Sequence, residues 1–126
     1  MITRITIALL TMLGASVSIA QQFPTKPMKI LVPYAAGGSA DVVGRVIAHQ
    51  MSTLLDQQIV VENRPGASGI PAIESAIKSA PDGYTMIIAD AGQWAVNPAL
   101  HPKLPYDTLR DLAPVGMITT SSLFLV

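Results

Sequence analysis

From Met28 onward the apolar positions follow two alternating rhythms. The stretch MKILVPY, residues 28–34, is rich in β-forming residues with little polar interruption, the pattern of a strand buried on both faces. From Ser39 the spacing lengthens: Val42, Val43, Val46, Ile47, Met51, Leu54 and Leu55 fall on one face of a 3.6-residue period and predict a helix over residues 40–55. Ser39 is the candidate N-cap of that helix, and Asp41 in its first turn is favoured by the helix dipole. A second strand is predicted over 59–62. The stretch ENRPGASG, residues 62–69, then breaks any regular element with Pro65, Gly66 and Gly69. Pro71 suits the first turn of a second helix, whose apolar stripe is Ile73, Ala76, Ile77 and Ala80. The turn PDGY precedes a third strand over 84–89. Strand, helix, strand, helix, strand in this order implies an α/β fold with a parallel sheet and right-handed crossovers.

Beyond Asp90 the rhythm is lost. The segment DAGQWAVNPALHPKLPYD carries Gly92, Pro98, Pro102 and Pro105, and predicts a long connection with one helical turn at 96–100. Residues 112–118 and 123–126 read as further strand material, and the chain stops inside the second of these, so a continuation of the sequence is expected. At the other end, Arg4 precedes the apolar run from Ile5 to Leu13, and Ser18 and Ala20 supply small residues at the −3 and −1 positions. Residues 1–20 therefore read as a secretory signal peptide whose apolar core is too short to span a bilayer, and residues 21–126 as the exported α/β portion.

Composition narrows the function. Eight basic and eight acidic residues in 126 provide no basic field and no charge run, which argues against a nucleic-acid partner. The absence of cysteine excludes a thiol nucleophile and a zinc–thiolate site, and leaves an exported domain wholly dependent on apolar burial. His49 lies beside polar Gln50 on the predicted helix and His101 stands alone in a proline-rich loop, so neither points to a metal; no metal or other cofactor is expected. Ser39 lacks the Gly-x-Ser-x-Gly setting of a nucleophile elbow.

In a parallel sheet, ligands sit beyond the carboxyl ends of the strands, where strand-to-helix loops converge. Two such loops are VPYAAGGSAD after strand 1 and DAGQWAVN after strand 3. Gly37 and Gly38 admit close approach of backbone amides, and the start of the first helix presents unpaired N–H groups at its positive end. An anion is the natural guest, held by neutral donors. Neither the phosphate-loop ending Gly-Lys-Ser/Thr nor the Gly-x-Gly-x-x-Gly fingerprint is present, so the anion's identity stays open on these grounds, as does a purely structural strand-to-helix turn. Trp94 either walls such a cleft or packs beneath its loop. Glu62, Asn63 and Arg64 read as residues that fix the loop before the second helix.

The segments KPMKILVPYAAGGSADVVGRVIA, VVENRPGASG, APDGYT and NPALHPKLPYD, in this order, resemble the N-terminal part of the Bug family, the extracytoplasmic substrate-binding proteins of tripartite tricarboxylate transporters. The resemblance runs from about Pro24 to Val126. It implies a periplasmic-binding-protein fold of type II, two α/β lobes closing on a small carboxylate, of which this chain holds part of the first lobe and lacks the second. It also implies a periplasmic receptor that performs no chemistry and delivers its ligand to membrane transporter subunits. By position, the family's ligand loops fall on Tyr34, Ala35, Ala36, Gly37, Gly38, Ser39 and Asp41, and on Ala91, Gly92, Gln93, Ala95 and Asn97. The family often has Thr or Ser where this chain has Asp90, a carboxylate that disfavours a nearby anionic ligand.

Overall fold

The computed structural model describes residues 22–120. The predicted signal peptide and the predicted strand at 123–126 lie outside the described residues. Three strands form one parallel sheet: β1 (Met28–Val32), β2 (Ile59–Asn63) and β3 (Thr85–Ile87) in the order β2-β1-β3. The register pairs Met28 with Ile59 and Lys29 with Thr85. Helix α1 (Ser39–Leu55) connects β1 to β2, and helix α2 (Ile70–Ile77) connects β2 to β3. A parallel pair needs such crossovers, so the α/β expectation holds.

The central strand is the core. Met28, Ile30, Leu31 and Val32 are all buried, as a strand covered on both faces requires. Ile30 and Val32 form the core with Ala48 of α1, and Ile59, Val61, Met86 and Ile88 pack around them. Leu31 points to the opposite face by strand alternation, the side where Ala72 and Ile73 of α2 are buried. Full burial of Leu31 and Ile73 stabilises the fold by roughly 1.5–3 kcal/mol each. β1 ends at Val32 because Pro33, which has no N–H, follows.

Helix α1 meets the sheet differently from its apolar pattern. The buried positions are Asp41, Gly44 and Ala48, while Val42, Val46 and Leu54 are exposed. Small residues win because they let the helix axis approach the sheet: a Cβ on Gly44 would stand 2.9 Å from Ile88 Cδ1 and 3.3 Å from Val32 Cγ2. The larger Val43, Ile47, Met51 and Leu55 flank this contact half-buried. The predicted strand at 112–118 is also corrected. It forms no strand among the described residues, and Val115, Met117 and Ile118 are exposed, since an apolar run becomes a strand only where a sheet edge receives it.

Asp41 is the one buried carboxylate of this region, at 3% exposure, and it is fully engaged. Its Oδ2 accepts from the Gly37 N–H at 2.9 Å and from Arg45 Nε at 3.0 Å, and its Oδ1 accepts from Asn63 Nδ2 at 2.8 Å. Loop, helix and the end of β2 are thereby tied at one point. These donors, the Arg45 guanidinium foremost, hold the Asp41 carboxyl far below its ordinary value of 3.8.

Two predictions follow from this packing. Gly44→Ala should lie within about 1 kcal/mol of the wild type, because helix propensity offsets a contact that the flexible end of Ile88 can relieve, whereas Gly44→Val should destabilise by about 1–3 kcal/mol. Urea unfolding measures both. Asp41→Asn should unfold at lower urea at pH 7. A depressed folded value means that the carboxylate's contribution is complete above the ordinary 3.8 and is lost as pH falls from there toward the folded value, so the wild type's advantage should shrink only below about pH 3.8. An advantage independent of pH down to 3 would contradict the assignment.

Candidate ligand-binding site

For this strand order a ligand crevice is expected at the carboxyl ends of β1 and β3. The chain leaves β1 for β2 on one side and returns to β3 on the other, so the loops following adjacent β1 and β3 diverge at their carboxyl ends. The loop after β1 is exposed from Ala35 to Ser39. Gly37 adopts φ +85°, a left-handed conformation that suits glycine. The first helical bond runs from the Val42 N–H to the Gly38 carbonyl, which leaves the N–H groups of Ser39, Ala40 and Asp41 outside the helical ladder at the positive end of α1.

Two expectations about this loop change. Ser39 is the first helical residue and not the N-cap; Gly38 occupies the cap position and makes no side-chain cap bond. The capping task falls to Asp41, which reaches back from the first turn to the Gly37 N–H. The Gly37 amide is thus engaged within the protein, and the Gly38 N–H donates to the Ala35 carbonyl at 3.4 Å.

The loop after β3 is organised by Asp90. Its Oδ1 accepts from the Gly92 N–H at 2.7 Å, and its Oδ2 accepts from the Tyr34 hydroxyl at 2.5 Å. Its carbonyl accepts the N–H groups of Gln93 and Trp94, which starts a π-type turn at Gly92–Val96, continued by the short helix α3 (Asn97–Leu100). The helical segment therefore begins earlier than the spacing around 96–100 predicts, because Asp90 satisfies the first amides of the turn. Burial, and then the Asp90 carboxylate, raise the Tyr34 hydroxyl above its ordinary value.

Gln93 and Asn97 are buried clasps. Gln93 Oε1 accepts from the Asp90 N–H at 3.0 Å, while its Nε2 donates to the Tyr34 hydroxyl at 3.2 Å and to the Ser68 carbonyl at 3.3 Å. Asn97 Nδ2 donates to the same Ser68 carbonyl at 2.9 Å and to the Tyr106 hydroxyl at 3.3 Å. The loop after β2 thus joins the cluster, a role that sequence reasoning did not assign to it. Within it Ala67 and Ser68 hold φ values of 43° and 54°, in the left-handed region between Gly66 and Gly69. Gly69 lies so close to the β1 loop that a Cβ would stand 2.8 Å from Pro33 Cβ. The signal available was the glycine spacing in RPGASG.

Of the residues singled out from the sequence, Ala35, Ala36, Gly37, Gly38, Ser39, Ala91 and Ala95 are exposed around the crevice, and Tyr34 and Gly92 are half-buried. Asp41, Gln93 and Asn97 are buried, their side chains committed to holding the loops. Trp94 is half-buried in the π-type turn. Asn63 bonds the Tyr34 carbonyl and Asp41, and so holds the loop after β1 rather than the loop before the second helix, while Arg64 pairs with Glu62 at 2.6 Å. His49 and His101 are exposed, and the described residues contain no group of three or more potential metal ligands. Two surface depressions, of about 450 Å³ beside Arg64, Glu74 and Lys78 and about 590 Å³ beside Phe23, Asp82 and Tyr84, both lie away from this crevice.

Residues 43–126 match the tripartite tricarboxylate transporter family receptor model. The protein BugT of Bordetella pertussis is 41% identical over 108 residues, covering 85% of this chain and 33% of BugT. A protein of Agrobacterium vitis from the TAR-I ttuE-ttuC' intergenic region is 40% identical and covers 82% of this chain and 30% of its own length. Among solved structures, MatC from Rhodopseudomonas palustris with bound malate superposes with TM-score 0.72 at 38% identity, over 76% of this chain and 33% of MatC. A second R. palustris protein, solved with adipate, gives 0.66 at 36% identity, over 69% of this chain and 29% of that protein. The chain spans about a third of the length of these relatives. With the parallel sheet, the crossover helices and the loop set now in place, this chain belongs to the tripartite tricarboxylate transporter receptor family, as part of a periplasmic-binding-protein lobe.

Proposed function

We propose that this protein is an extracytoplasmic receptor that captures a small carboxylic acid at the crevice between the loops after β1 and β3. The observation that carries this reading is the start of α1, exposed at Ser39, where the N–H groups of Ser39, Ala40 and Asp41 stand outside the helical ladder at the dipole's positive end. The setting suits a carboxylate held by neutral donors. Neither loop contains Lys or Arg, and the nearby Arg45 and Arg64 are paired with Asp41 and Glu62. The malate and adipate bound to the two R. palustris relatives support the same ligand class.

Residues 1–20 serve as the export signal in this reading, and residues 21–126 form part of one lobe, with a second lobe completing the cleft. The receptor works by closing over its ligand and delivering it in the periplasm to the membrane subunits of a tripartite transporter, as the family suggests. No chemistry on the ligand is invoked. Ser39, the nucleophile an acyl- or phosphate-processing enzyme would use, is ten residues from His49, about 15 Å along the helix axis.

Calorimetric titration of the full-length protein with mono-, di- and tricarboxylates and with phosphate compounds tests the reading. Saturable binding of a carboxylate is expected. Ala36→Asp, which adds a negative charge to an exposed loop position, should weaken that binding roughly tenfold or more while leaving the melting temperature nearly unchanged. Binding of phosphate compounds alone, or carboxylate binding indifferent to Ala36→Asp, would contradict it.

A further inference from the structure

Asp90 stands beside the loop after β1 without a cationic partner among the described residues. Continuing the register from Leu31 opposite Ile87 brings Tyr34 beside Asp90 at the carboxyl ends of two adjacent strands, and the 2.5 Å hydrogen bond confirms their contact. Every ion pair among the described residues involves another acid: Asp41, Glu62, Glu74, Asp82 or Asp111. Asp90 instead receives two neutral donors, the Gly92 N–H and the Tyr34 hydroxyl. An ionised carboxylate offers about four acceptor sites, so each oxygen keeps acceptor capacity, and the residue is exposed.

Two opposite demands therefore meet within one crevice. The start of α1 favours an anion, and the Asp90 carboxylate repels one. A like charge brought close to an exposed carboxylate near a protein surface weakens affinity by roughly tenfold or more. A ligand that places a second carboxylate against Asp90 bears that repulsion. One that places an ammonium there turns the same interaction into attraction and adds N–H donors for the free acceptor sites.

We propose that Asp90 selects, within the carboxylate site proposed above and resting on that reading, a carboxylic acid that also carries an ammonium group. The anionic end lies at the start of α1, and the cationic group lies against Asp90 beside the Tyr34 hydroxyl. Tyr34 and Gly92 position the Asp90 carboxylate, because each holds one of its oxygens. Asp90 is thus a specificity residue as well as the organiser of its own loop.

Matched probes separate the possibilities: 4-aminobutanoate and glutarate share a three-methylene spacer and a terminal carboxylate, and differ only in whether the far group is an ammonium or a second carboxylate. Calorimetry on the full-length protein should give at least tenfold tighter binding of 4-aminobutanoate. Asp90→Asn removes the charge, keeps one acceptor oxygen for the Gly92 N–H and turns an NH2 donor toward the Tyr34 hydroxyl, and it should erase or invert the preference. Asp90→Ser provides the same comparison if the Asn variant does not fold, and melting curves report folding for both. A wild-type preference for glutarate, or a preference for 4-aminobutanoate that survives removal of the Asp90 charge, would overturn the assignment. If malate, adipate and other carboxylates bind while Asp90 variants leave every preference unchanged, this inference fails and the proposed function stands. If no carboxylate binds at all, the proposed function fails and takes the inference with it.

Discussion

A buried carboxylate has to be surrounded by donors, and Asp41 is the point where this requirement shapes the molecule. Its partners come from three places: the Gly37 amide in the loop after β1, Arg45 one turn further along α1, and Asn63 at the end of β2. Asn63 also donates to the Tyr34 carbonyl, so the same network holds both ends of the first strand-to-helix loop. The loop's backbone can then remain exposed without being loosely held.

A second polar cluster does the same for the other loops. The Ser68 carbonyl accepts from both Gln93 and Asn97, and this joins a left-handed turn after β2 to the π-type turn after β3. Residues in left-handed conformations cost of order 1–3 kcal/mol each when they are not glycine, and such strain persists where surrounding contacts hold it. Here those contacts are two buried side-chain amides with every buried polar side-chain atom partnered among the described residues. The result is a division of labour between buried polar side chains, which set loop shape, and exposed backbone, which is available at the crevice.

The sheet places these clusters. With β1 in the middle and its neighbours reached by crossovers in opposite directions, the carboxyl ends of β1 and β3 become the site where loops part. The close approach of α1 at Gly44 sets how its first turn meets the strand ends, since the helix lies against Val32 and Ile88 through a missing side chain. Packing, loop geometry and the electrostatics of the crevice are therefore linked through a few small or polar residues.

The order of elements was legible in the sequence because it depends on local periodicity: MKILVPY reads as a buried strand, and the run from Ser39 to Leu55 reads as a helix, whatever surrounds them. The two strand-to-helix loops were legible too, since glycines and prolines at strand ends act through their own dihedrals. Which face of α1 is buried was decided by tertiary structure, because Gly44 and Ala48 have little hydrophobicity of their own and matter only when a sheet lies against them. The same holds for residues 112–118, whose apolar pattern is strand-like but whose pairing depends on a neighbouring edge. The roles of Asp41, Gln93 and Asn97 were likewise beyond the sequence. A polar side chain that binds a ligand and one that clasps a loop look identical in one dimension, and only the partners brought to it by the fold distinguish them.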